Sequence, residues 1–305
     1  MMNGAGLWNR TGLRRMTNEN VKPRKRFLAL DTSTATLGVA VTEGGAVLHE
    51  INASGERNHS VHLLPIIQQA LAASGTDPAS LAGISVGVGP GSYTGTRIAV
   101  TAAKTLAWAW KLPVAGVSSL HALAWGGWKA GLAGEAAANR QDNAGSDADA
   151  GVPAESGAGT YGPDWIIPLL DARRGQAYTA LFAVADSGAP VRLEPDAIRL
   201  MADWVQRLGE RLEEAAASGT KPRRLWFVGE TELHGSEDSL RPLQEAASLE
   251  AVPYELEGRW AGLLGEARLA QGESDDLHSI IPNYTQLSEA EANLRLSREG
   301  SINKR

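Results

Sequence analysis

The chain has 305 residues, of which 43% are hydrophobic and 21% charged, a balance that excludes a fibrous or wholly disordered chain and favours two domains. A formal charge of -6 gives no global attraction to nucleic-acid phosphates, so any contact with RNA has to be local or mediated by a partner. The absence of cysteine excludes disulfides, thiolate zinc sites and cysteine nucleophiles.

Residues 1–26 hold Arg10, Arg14, Arg15, Lys22, Arg24, Lys25 and Arg26 with few apolar side chains and read as a mobile basic leader without a signal-peptide core. No apolar run reaches the roughly 18 residues needed to cross a bilayer, so the expected location is cytoplasmic. Phe27-Leu-Ala-Leu-Asp31 and Leu37-Gly-Val-Ala-Val41 flank a Thr/Ser turn and predict a β-hairpin; Gly44-Gly45 then turns the chain into a third strand over residues 46–51. Val61, Leu64, Ile67 and Leu71 fall near helical spacing and predict a helix over residues 59–73, with Ser60 as a cap and Pro65 imposing a kink or a delayed start. A strand over 84–88, a glycine-rich turn, a helix over 94–110, a strand over 114–117 and a helix over 120–128 complete a βββαβαβα lobe spanning residues 27–128.

Residues 129–162 are dominated by Ala, Gly, Asp and Ser and read as a flexible insertion, because such a composition buries too little surface to offset chain ordering. A second lobe over 163–295 opens with strands over 165–171 and 175–182. It repeats the strand, aspartate, short turn, strand sequence of the first lobe, which points to an internal duplication. Helices over 198–217, 239–248 and 260–271, a strand over 225–228 and a tail over 296–305 follow.

Asp31-Thr-Ser-Thr34 places a carboxylate and three hydroxyls in a tight turn, suited either to phosphate and hydrated magnesium or to an ordinary polar hairpin turn. The segment Gly87-Val-Gly-Pro-Gly-Ser-Tyr-Thr-Gly-Thr-Arg97 lacks the lysine and the spacing of a Walker loop and breaks the dinucleotide spacing as well. What remains is a sharp strand-to-helix turn capped by Ser92 or Thr94. The helix it launches has small residues at Gly95, Ala99, Ala102, Ala103 and Ala107 and is apolar on more than one face, so it is either buried inside the lobe or turned toward another protein. His59 and His62 share a helix face but have no third metal ligand nearby, and Ser118-Ser119 with His121 lack a nucleophile elbow.

Leu30-Asp-Thr-Ser33, Gly89-Pro-Gly-Ser-Tyr-Thr-Gly-Thr-Arg97, Val117-Ser-Ser-Leu120, Leu170-Asp-Ala-Arg173 and Pro282-Asn-Tyr284 with Glu289 to Glu291 together resemble the TsaB (YeaZ) family over roughly residues 27–295. The most specific part of the resemblance is the turn made by Gly89, Pro90, Gly91, Ser92, Tyr93, Thr94 and Gly95, which identifies the family without carrying chemistry of its own. The resemblance implies duplicated α/β lobes of the actin-like, sugar-kinase-like (RNase H-like) type. It also implies a non-catalytic scaffold in the machinery that forms N6-threonylcarbamoyladenosine at position 37 of tRNAs reading codons that begin with A. The partners it implies are a TsaD-like catalyst, a TsaE-like ATPase, tRNA through the complex and, for the chain alone, a second copy of itself. Pairing through the two helices of the first lobe would use His59, His62, Leu63, Ile66, Arg97, Ala99, Ala102, Ala103 and Leu106. Aligned on Gly116-Val117, the metal-ligand positions of the TsaD catalyst fall on Ser119 and Leu123, and leucine cannot ligate a metal. The loops at Asp31, Thr32, Ser33 and Thr34, at Asp171 and Arg173, and at Val228-Gly229-Glu-Thr then read as degenerate phosphate-type loops. No metal or cofactor is expected to bind this chain tightly, ATP and metal being used by its partners. An ATP-dependent kinase or carbamoyl transferase of the same fold is the alternative, and a peptidase lacks the residues to carry it.

Overall fold

Two apolar strands joined by a short turn seed each half of the molecule. The computed structural model describes residues 25–54, 59–143, 162–185, 188–234 and 237–285. In the first half β1 (Arg26–Asp31) and β2 (Thr36–Glu43) are buried along almost their whole length, as expected of strands covered on both faces. The third strand, β3 (Ala46–Ser54), lies at the sheet edge and alternates in exposure. With β4 (Leu81–Gly87) and β5 (Val114–Val117) they form a five-stranded sheet of order β3-β2-β1-β4-β5, antiparallel through the meander and parallel across β1, β4 and β5.

The second half repeats this plan. Strands β6 (Asp164–Asp171), β7 (Gln176–Val184), β8 (Val191–Leu200), β9 (Arg224–Gly229) and β10 (Ser248–Pro253) form a sheet of order β10-β9-β6-β7-β8, which read from the β8 edge is the order of the first sheet. The duplication expected from two hairpins therefore extends over both whole sheets, with the same parallel and antiparallel pairings.

One face of the first sheet carries α1 (His59–Ala73) and α2 (Tyr93–Trp110); the matching face of the second carries α4 (Met201–Ala217) and the short α6 (Glu237–Gln244), with α5 (Thr231–His234) following β9. The remaining two helices are exchanged. Helix α3 (Ser119–Asn143) follows β5 of the first sheet yet packs on β6, β9 and β10 of the second, while α7 (Gly258–Ala270) follows β10 yet covers β1, β2 and β4 of the first. Small residues allow this close docking: Gly258 lies against Gly38 so tightly that a Cβ on either would collide with the other's backbone. The Ser85 hydroxyl fills the space beside Gly265 and donates to the Ala261 carbonyl at 2.6 Å.

Three elements differ from the sequence expectation. The helix expected to stop at residue 128 runs to Asn143, so the first part of the presumed insertion is helical; residues 144–161 lie outside the described residues, as do the leader to residue 24 and the tail from 286. Within this helical part Gly131 is required by the packing, since a Cβ there would strike the Trp226 ring, just as one at Gly127 in the preceding turn would strike Val228. The helix expected from residue 198 begins only at Met201, because Val191-Arg-Leu-Glu-Pro-Asp-Ala-Ile-Arg-Leu200 forms the edge strand β8. Residues 248–253, the first of which is the expected end of a helix, form the other edge strand.

Candidate functional site

Three places bring together the residues singled out from the sequence. At the end of β1 the Asp31 carboxylate turns inward rather than toward solvent. One carboxylate oxygen accepts hydrogen bonds from the Ser33 amide at 2.8 Å and the Ser33 hydroxyl at 2.6 Å, and the other accepts from the Ser119 hydroxyl at 2.7 Å. Burial raises the Asp31 pKa above the ordinary aspartate value, and the hydrogen bonds from Ser33 and Ser119 oppose that rise. The Ser119 hydroxyl in turn accepts from the Gly89 amide at 3.1 Å, so the carboxylate organises the glycine-rich turn.

That turn is clamped to the Asp31 loop at several points. Thr32 donates its hydroxyl to the Gly95 carbonyl at 2.6 Å, and the Ser92 amide donates to the Ser33 carbonyl at 2.7 Å. A Cβ at Gly95 would collide with the Thr32 carbonyl, which explains the glycine at the start of α2. Ser92 caps the helix by accepting from the Gly95 amide at 3.2 Å. The Asp31 carboxylate and the Thr32 hydroxyl thus make internal hydrogen bonds, the arrangement of a polar hairpin turn, one of the two readings open for this loop.

The family-identifying turn is not of one kind along its length. Gly89 and Pro90 are buried and joined by a cis peptide bond, and neither lines the cleft or the groove described below, so Pro90 belongs to the inner wall of the turn and not to any accessible surface. Gly91, Ser92, Tyr93, Thr94 and Gly95 do line the cleft, and Tyr93 and Thr94 line the groove as well. The family-identifying turn therefore also shapes both surfaces at its helix end.

Ser33 and Thr34 reach the second place, a cleft of about 1030 Å³ between the lobes, where they face Asp171 and Arg173. Asp171 accepts from the Arg173 amide at 3.0 Å and pairs with the buried His234 at 3.1 Å. Its amide donates to Glu230, so carboxylates line the second-lobe wall. His59 lies at the rim with its ring Nε2 3.2 Å from the Thr34 carbonyl, while His62 is exposed on α1. Among the described residues no cluster of three or more His, Cys, Asp or Glu has metal-binding geometry. Leu123 is fully buried, and the Ser119 hydroxyl is held by Asp31. His121 binds the Pro190 carbonyl at 2.7 Å through its ring and stacks on Phe182, so it is no base for Ser118 or Ser119. Burial lowers its pKa, with Arg192 acting in the same direction.

The third place is the outer face of α1 and α2. Leu63, Ala99 and Ala103 belong to the first-lobe core, where they pack with Val100 and Ala107 toward the sheet. Ala99 and Ala103 present almost no surface to a partner, which corrects the expectation that they lie in the contact, whereas Leu63, though buried, forms part of the groove described next. The two helices nevertheless carry a second apolar surface. Val61, Leu64, Tyr93 and Trp108 are 66%, 54%, 57% and 71% exposed. Of these, Leu64 and Tyr93 line a groove of about 560 Å³ together with Ile98, Ala102 and Leu106, with Arg97 among the polar residues. Ile66, Ala102 and Leu106 are half-buried and Arg97 is exposed, so these expected positions remain available. Leu64, Tyr93 and Trp108 were missed as surface positions; their signal is that they fall off the helical phase shared by Leu63, Ile67, Ala99 and Ala103.

Arg97 sits beside this groove in an aromatic cradle. Its guanidinium lies 4.4 Å from the centre of the Tyr93 ring and 5.9 Å from that of Tyr284, and its Nε donates to the Tyr284 hydroxyl at 3.0 Å. No helix among the described residues is long and apolar enough to cross a membrane.

Comparison with known proteins places this architecture among relatives. Residues 46–134, which contain both outer helices of the first lobe, match the family described as TsaD: tRNA N6-adenosine threonylcarbamoyltransferase. The chain is 35% identical over 272 residues to the tRNA threonylcarbamoyladenosine biosynthesis protein TsaB of Bacillus subtilis, covering 87% of this chain and 96% of that protein. The protein of the same name from Escherichia coli is 40% identical over 107 residues, 34% of this chain and 45% of that one. A solved structure described as an uncharacterized protein with similarity to peptidase YeaZ from Pseudomonas aeruginosa superposes with a TM-score of 0.59 at 22% identity, over 86% of this chain and 100% of that one.

Proposed function

Because this chain belongs to the TsaB family, we propose that it serves in the formation of threonylcarbamoyladenosine in tRNA as a non-catalytic subunit that pairs, through the outer faces of α1 and α2, with a TsaD-like catalytic subunit. The observation that carries this reading is the second apolar surface of those helices. A helix on the outside of a lobe needs one buried stripe, and α1 and α2 have theirs in the core already. Four large apolar side chains left in water on adjacent helices, Val61, Leu64, Tyr93 and Trp108, form the kind of patch that marks a protein interface.

The cleft supports the non-catalytic part of the reading. Catalysis of phosphoryl or carbamoyl transfer on this fold needs carboxylates free to hold a metal ion and loops that cradle phosphate. Here the Asp31 carboxylate is saturated by Ser33 and Ser119, and Gly91 and Gly95 seat the α2 turn on the backbone of the Asp31 loop. We therefore assign ATP and metal to the partner subunits, a TsaD-like catalyst and a TsaE-like ATPase, with tRNA reaching this chain through the complex. Reconstitution of tRNA modification with and without the chain tests the proposal; loss of the product on omission is the expected result. Tight magnesium-dependent ATP binding with turnover by this chain alone would overturn it in favour of an independent kinase or carbamoyl transferase.

A further inference from the structure

Helices α1 and α2 contain no aspartate or glutamate. Apart from His59 and His62, their charged or basic side chains are Arg97 and Lys104, and Lys104 is occupied by the carbonyls of His278 at 3.2 Å and Ile280 at 3.0 Å. Among the described residues Arg97 has no carboxylate among its contacts. Its neighbours are the rings of Tyr93 and Tyr284, and the lining of the adjacent groove contains no acid either. This differs from Arg192, Arg207, Arg211, Arg224, Arg259 and Arg268, each of which is paired with a carboxylate.

A guanidinium held by two rings has lost much of its side-chain freedom before any partner arrives, and its planar fork is suited to a carboxylate. Resting on the pairing reading above, we propose that Arg97 is a specificity-determining residue of the α1/α2 face, and that the occupant is a protein subunit presenting an apolar helix surface with a carboxylate aimed at Arg97. The charge pattern argues for this occupant over a second copy of the chain. Two-fold self-association would bring one acid-free face against another and leave both copies of Arg97 without a counter-ion. A partner carrying the carboxylate supplies what the face lacks, and Tyr93 and Tyr284 act as positioning residues that fix the guanidinium at the groove.

The test uses the full chain and the TsaD-like subunit of the same organism, with association measured by calorimetry at low and high salt. Arg97→Met is expected to weaken binding by about tenfold and to flatten its salt dependence, because a rim charge acts through a screened attraction. Arg97→Glu is expected to weaken it further, and a single carboxylate-to-lysine exchange on the partner should restore the Arg97→Glu complex. Arg97→Lys keeps the charge without the fork and should fall between wild type and Arg97→Met. Wild-type affinity and salt dependence for folded Arg97→Met, or no partner exchange that restores Arg97→Glu, would overturn the inference. Leu64→Asp separates the two levels: if it abolishes binding while Arg97→Met has no effect, the face is right and the carboxylate is wrong. If Leu64→Asp also binds normally, the pairing reading itself fails.

Discussion

The duplication sets two outer layers side by side, and they have been finished differently. Helix α4 follows the third strand of its lobe as α1 does, and α6 lies between the last two strands as α2 does. In α4 a single apolar stripe of Met201, Trp204, Val205, Leu208 and Leu212 is buried, and the opposite side is charged. Arg207 pairs there with Glu194 and Glu210, and Arg211 with Glu214. Such exposed pairs contribute little stability but keep the face solvated. In α1 and α2 the buried stripe is equally complete, yet the outer side keeps Val61, Leu64, Tyr93 and Trp108. One topology thus carries a solvated charged layer in the second lobe and a layer with exposed apolar side chains in the first, the contrast on which the proposed pairing through the first lobe rests.

The sharpest way to test this comparison is to treat the two faces of the α1/α2 layer separately. Ala99→Glu places a charge against the first sheet, where Ala99 is fully buried. It is expected to cost about 4 kcal/mol or more and to unfold the first lobe, measured by urea denaturation. Leu64→Asp on the outer face is expected to leave stability within about 0.5 kcal/mol while weakening partner binding by about a hundredfold. The equivalent change on the second lobe, Gln206→Asp on the exposed side of α4, should alter neither. If it weakens pairing as much as Leu64→Asp does, the contrast between the layers has no functional meaning.

The same contrast marks the limit of what sequence periodicity discloses. The strands and helices of the first lobe are legible because β1, β2, β4 and β5 are short apolar runs bounded by turns. The edge strands β8 and β10 are only half-covered, and in β8 it is Val191 and Leu193 that face out while Arg192, Glu194 and Asp196 are half-buried, so neither declares itself. Which face of α2 meets the sheet was also hidden. Both faces are apolar, and the smaller side chains, Ala99 and Ala103, proved to be those that let the helix lie close to the strands. The Asp31 loop was recognisable as a constellation, but its inward direction depends on Ser119, 88 positions away in the chain.

Helix α3 tests the joint between the layers. Gly131→Val would drive a side chain into the Trp226 ring under the second sheet, at an expected cost of about 1 to 3 kcal/mol in thermal or urea unfolding. Pairing by the first lobe should persist at temperatures where the variant remains folded, because α3 packs on the second sheet and on α7, away from the outer face of α1 and α2.

The smallest effect is expected at His121, in the first turn of α3, where the ring ties that helix to the β7–β8 hairpin through Pro190 and Phe182. Burial, reinforced by Arg192, lowers its pKa in the folded protein, while Pro190 and Asp196 oppose the shift. The unfolded chain therefore binds the proton more readily than the folded one. The stabilising contribution is complete above the ordinary histidine pKa and is lost as pH falls through that value toward the folded one. His121→Gln keeps a donor for the Pro190 carbonyl but cannot titrate, so the stability difference between about pH 7.5 and about pH 5.5 should shrink relative to wild type by no more than about 1 kcal/mol. Because the group lies at the junction and not on the outer face, the substitution should leave the pH dependence of partner binding unchanged. A variant that altered binding between those pH values without altering stability would mean that the two lobes are coupled through this hairpin, and that the docking layer is not independent of the solvated one.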